Sequence, residues 1–95
     1  MTEKPAPKEL ITFREISSTS KKIMEVFRYF RIKRDEILST KLILSKRELW
    51  QDVTDKHFTY AIEELIEMGY IAKIKTPAGW RLLERGTEYL KQVAK

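Results

Sequence analysis

Apolar residues along the chain follow two periods, and where the period changes marks out the elements. Ile23, Val26, Phe27 and Phe30 recur at helical spacing, which predicts a first helix from Ser20 to about Asp35 with its N-cap among Ser17 to Ser20. Ile11, Phe13 and Ile16 form a short alternating run ahead of it, an arm or strand across the domain. Leu42, Ile43 and Leu44 read as a brief strand. Ser45 with Glu48 three residues on has the form of a capping box, opening a short second helix with Leu49, Trp50 and Val53 inward. Phe58, Ile62, Leu65 and Ile66 predict a third helix, capped by Thr54 or Asp55 and stopped at Gly69. The second and third helices are then separated by a turn of two or three residues.

From Tyr70 the pattern shortens to that of strands. "YIAKIK" and "WRLL" flank "TPAG", a hairpin loop with Pro77 early and Gly79 in the left-handed position. "ERGTEYLKQVAK" returns to helical spacing and turns Tyr89, Leu90 and Val93 inward, although Gly86 weakens its first turn by about 1 kcal/mol relative to Ala. Residues 1–10, with Pro5 and Pro7, read as a flexible tail and residues 11–95 as one domain.

Composition narrows the chemistry. The chain has no cysteine and a single histidine, His57, with no glycine-rich phosphate loop and no metal-ligand spacing. Glu63, Glu64 and Glu67 read as a solvated helix face, so no enzyme, cofactor or metal site is expected. No stretch reaches the roughly 20 apolar residues of a membrane span and the first residues lack a signal-peptide core, which points to a cytoplasmic protein. The net charge of +5 is unevenly spread: residues 20–45 and 70–95 are each +4, whereas residues 46–69 are −3. A polyanion would be drawn to the two basic segments.

The order helix, short strand, helix, turn, helix, hairpin, helix is that of a winged helix-turn-helix. "AIEELIEMGYIAKIKTPAGWRLLERGTEYLK" resembles the ending of small winged-helix transcription regulators, the broad group of MarR-like and PadR-like regulators and archaeal or viral DNA-binding proteins. The likeness spans about residues 20–94, and it departs from the group where Leu82-Leu83 replaces the frequent Leu-Thr. The resemblance implies an α+β fold with a three-helix core, a two-stranded wing and a C-terminal helix. It also implies binding to double-stranded DNA through the 54–68 helix and the 70–83 wing, as a small transcription regulator acting as a homodimer. The dimer would form through the Ile11–Ile16 arm, the first helix or the last. The alternative is a winged-helix adaptor with a protein partner, favoured by the acidic middle segment.

Candidate DNA contacts follow from that fold. Lys46 and Arg47, at the start of the second helix, would anchor phosphates beside free backbone N–H groups. Lys56, His57, Thr59 and Tyr60, on the first turns of the third helix, would meet bases and backbone. Lys73, Lys75 and Arg81 belong to the wing, with the two lysines on one strand face opposite Ala72 and Ile74. Tyr70, Ile71, Ile74, Trp80 and Leu82 would hold the hairpin to the helices. Arg28, Arg31, Lys33 and Arg34 are left between flanking phosphates, another protein and plain solvation.

Overall fold

The computed structural model describes residues 15–93, so the 1–10 tail and the Ile11 and Phe13 end of the arm lie outside it. Within that span the chain is α+β, with four helices and one three-stranded antiparallel sheet. Helix α1 (Ser18–Tyr29) leads through a turn to strand β1 (Ile37–Ser39), which runs directly into α2 (Thr40–Arg47). Helix α3 (Asp55–Glu67), the hairpin β2 (Ile71–Ile74) and β3 (Gly79–Leu82), and α4 (Glu84–Val93) complete it. The sheet order is β1-β3-β2. No helix among the described residues is long and apolar enough to cross a membrane.

Helix α1 begins where its serines allow. Ser17 is the N-cap, accepting from the Ser20 amide at 3.2 Å. Glu64 reinforces this start from α3: its Oε1 accepts from the Ser17 amide at 3.1 Å and from Ser20 Oγ at 2.6 Å. A carboxylate at a helix N-terminus complements the helix dipole, so Glu64 has a structural post and is not a member of the solvated face. The helix stops at Tyr29, earlier than Asp35, because Phe30 caps it and Arg31 turns left-handed at φ 56°.

The largest departure from the sequence reading is in residues 37–53. The short strand falls at Ile37–Ser39, and Leu42, Ile43 and Leu44 are helical. Leu38 is the reason: it pairs with Trp80 on β3 and is fully buried, which fixes the strand five residues early. Ser39 then caps α2, accepting from the Leu42 amide at 3.2 Å. Ser45 sits inside the helix and bonds back to the Leu42 carbonyl, as mid-helix serines do. Of the apolar run only Ile43 is buried, and Leu49, expected inward, is 70% exposed. The α2–α3 connection is residues 48–54, longer than a two- or three-residue turn.

Helix α3 follows its sequence pattern more closely. Thr54 accepts from the His57 amide at 3.1 Å while His57 Nδ1 accepts from the Thr54 amide, a reciprocal capping box. Ala61, Ile62 and Leu65 are buried and Phe58 packs on the core, but Ile66 lies on the exposed side. Gly69 takes φ 79°, as a helix stop requires. Tyr70, Ile71, Trp80 and Leu82 join Ile23, Phe27 and Leu38 in one core. Ile74 is only half-buried, and Val93 of α4 is exposed where an inward position was expected.

Two glycines are explained by close approach. Gly79 is not left-handed; it lies in β3, and a Cβ there would overlap the Leu38 carbonyl of β1. A Cβ on Gly86 would overlap the Tyr70 carbonyl, so the weak start of α4 is what lets that helix reach the sheet.

Candidate nucleic-acid interface

Cross-strand register decides what the hairpin can present. Leu38, Trp80 and Lys73 stand opposite one another across the three strands, and Ile37, Arg81 and Ala72 form the next row. Adjacent rows face opposite sides of a sheet. Lys73 therefore shares the core-side face with Trp80, projecting past its edge into solvent, and Arg81 lies on the other face, half-buried. Lys75 is exposed in the turn beyond β2 rather than on a strand face with Lys73. The Phe58 and Trp80 rings meet edge to face at 6.5 Å, so the first turns of α3 and the Lys73 row of the hairpin are held side by side.

On α3, Lys56, Thr59 and Tyr60 share an exposed surface with Asp55 and Glu63, around a shallow depression of about 370 Å³. Lys56 has no ion pair or hydrogen bond among the described residues, and Tyr60 is 61% exposed. His57 is exposed but its Nδ1 is used as an acceptor at the cap, so the ring offers its Nε2–H outward. A second depression, of about 340 Å³, lies between His57, Tyr60 and the first turn of α1. Its lysine, Lys22, is paired with Asp52 at 3.0 Å. That bond, with the residue's own backbone, holds the Asp52 carboxyl below its ordinary range.

Lys46 and Arg47 are not where the sequence reading put them. Because α2 runs from Thr40, both stand at its C-terminal end, where free carbonyls replace free N–H groups. The helix dipole there favours the two cations themselves and offers nothing to a phosphate. Lys46 Nζ sits 3.7 Å over the Tyr29 ring. Arg47 pairs with Asp55 and lies over the Phe58 ring at 5.1 Å, fastening α2 to the start of α3. Sequence spacing gave no signal of either contact, since both join residues from different helices. Of the nine candidates, Lys56, His57, Thr59, Tyr60, Lys73 and Lys75 are exposed, while Lys46, Arg47 and Arg81 are partly taken up by the fold.

No group of three or more His, Asp or Glu side chains among the described residues is arranged to hold a metal. No protein-family model, no curated protein and no solved structure matches the chain. What it does has to be argued from its own surface.

Proposed function

We propose that the chain is a winged helix-turn-helix domain that binds double-stranded DNA, serving as a small transcription regulator. In this reading α3 enters the major groove by its first two turns, and the β2–β3 hairpin is a wing along the backbone. The element order supports it, as does a short β1 that pairs with the second strand of the hairpin. The observation that carries the reading is the exposed set Lys56, Thr59 and Tyr60, set beside Lys73 by the Phe58–Trp80 contact. Lys56 can meet a guanine or a phosphate, Thr59 and Tyr60 can bond to backbone oxygens, and Lys73 and Lys75 can neutralise flanking phosphates. Lys46, Arg47 and Arg81 take a smaller part than their charge suggests.

Anisotropy titration with random duplex across a salt series tests this. Three neutralised phosphates give a log–log slope of about −3, and Lys73→Gln with Lys75→Gln reduces it by about 2. Absence of binding at low salt, or binding indifferent to salt, overturns the reading. The rival is an adaptor that binds protein through the same face. It is favoured by Glu63 and Glu67, which are exposed on α3 and form no ion pair among the described residues. A failed titration transfers the face to that alternative.

A further inference from the structure

A groove lies between the end of α1 and α4, and none of its residues is among the proposed DNA contacts. Its floor is Ile32, Leu82 and Leu90, and its volume is about 380 Å³. Cations line its rim. Arg28 is paired with Glu25 at 3.1 Å, Lys91 with Glu88 at 3.6 Å, and Arg34 lies 3.8 Å from both Asp35 and Glu84. Arg31 and Lys33 have no side-chain partner among the described residues, although both are exposed on the rim. An apolar floor with two unpaired cations on its rim fits a ligand that brings an apolar group beside negative charges.

Backbone conformation adds a second, independent observation. Arg31 adopts φ 56°, and the only other non-glycine with positive φ among the described residues is Asp35 at 71°. Asp tolerates this region by local hydrogen bonding, whereas a long side chain there costs about 1–2 kcal/mol. Glycine or asparagine would close the turn more favourably. An arginine at that position is accounted for if its guanidinium is needed at the groove.

We infer that the groove docks an acidic peptide segment of a partner protein, one that places a large apolar side chain on Ile32 and Leu90 with carboxylates flanking it. The apolar floor argues against duplex DNA, whose outer surface is phosphate and sugar. It argues against a membrane too, because the apolar area on offer is small: Leu82 is fully buried and Ile32 and Leu90 are half-buried. Carboxylates on the peptide would be steered by the rim and bind Arg31 in a two-pronged pair, and the apolar residue would supply most of the residence time. The site is independent of the DNA reading, so a regulator could hold DNA and partner at once.

The test uses the full chain and a fluorescent synthetic peptide with Leu and Trp set among Glu and Asp. Saturable binding is expected, and replacing Leu and Trp by Ser at unchanged charge weakens it at least about tenfold. Arg31→Asn with Lys33→Gln removes both free cations while keeping a residue suited to the left-handed turn, so the protein stays folded. That pair should weaken the peptide by about tenfold or more and leave duplex affinity within about twofold. Three results overturn the proposal: no binding up to about 0.5 mM peptide, equal binding of the Ser-substituted peptide, or binding that the double substitution does not change. Displacement of the peptide by an equal concentration of duplex also overturns it, since the groove would then be a general polyanion patch.

Discussion

Helices α1 and α3 end in the same way with different residues. At the end of α1 the Arg31 amide bonds to the Arg28 carbonyl at 3.0 Å and the Ile32 amide to the Phe27 carbonyl at 2.9 Å. At the end of α3 the Gly69 amide bonds to Ile66 at 3.0 Å and the Tyr70 amide to Leu65 at 3.0 Å. Both are Schellman turns, with the same offsets and a left-handed residue at the same place. One uses glycine, which costs nothing in that conformation; the other uses arginine, which does. The residue that follows also differs in fate. Tyr70 is fully buried, 5.2 Å from the Tyr89 ring of α4, whereas Ile32 is left half-covered in an open groove. The α3 turn is optimised for packing, and the α1 turn carries a surface.

Truncating the buried residue that starts each turn gives the largest effect. Phe27→Ala and Leu65→Ala remove fully buried side chains and should cost about 3–5 and 2–5 kcal/mol, measured by chemical denaturation. For a domain of this size that is a large share of total stability. Gly69→Ala comes next, at a loss of about 1–2 kcal/mol. A Cβ on Gly69 would meet the Arg85 side chain at 3.6 Å, an ordinary van der Waals contact without overlap, so the loss reports backbone strain. A neutral result there would mean that the α3 turn tolerates a side chain as well as α1 does, and the contrast between the two ends would vanish.

Arg31→Gly should act in the opposite direction. Relief of the left-handed strain, less the greater unfolded-state entropy of glycine, leaves a gain of about 0.5–1 kcal/mol. More stable protein that no longer binds the acidic peptide is the outcome that shows stability was given up for recognition; a loss of stability would assign Arg31 a packing role instead. The smallest effect concerns the cover over Tyr70. Burial pushes the Tyr89 phenol above its ordinary pKa. The neutral form is therefore favoured in the folded state, so stability from this group is intact below pH 10 and declines as pH rises through the folded pKa. Melting temperatures of the parent and Tyr89→Phe should run parallel up to about pH 9, and above it the parent should fall faster.

How much was readable in advance differs sharply between neighbouring segments. Helix α3 was legible because Thr54, the Phe58–Ile62–Leu65 stripe and Gly69 are local signals that agree with one another. The hairpin was legible for the same reason, through its alternation and Pro77, although its turn falls at residues 75–78 and Gly79 belongs to β3. Residues 37–47 were not, because Leu42-Ile43-Leu44 suits a short strand or a helix equally by itself. Leu38 settles it by pairing with Trp80, more than forty residues away. The misplacement of Lys46 and Arg47 at a helix start followed from that one local ambiguity.

The sequence alone determined the helical stripes, a cap among Ser17 to Ser20 and one at Thr54 or Asp55, the stop at Gly69 and the uneven charge, since each depends on residues within a turn or two; the fold chose Ser17 and Thr54. Tertiary structure decided which charges are free. Lys46 rests on Tyr29, Arg47 is held by Asp55 and Phe58, Glu64 caps a different helix, and Arg81 faces away from Lys73. Lys56, Lys73, Arg31 and Lys33 stay available. A cation's neighbours come from other elements of the fold, and no spacing along the chain encodes them.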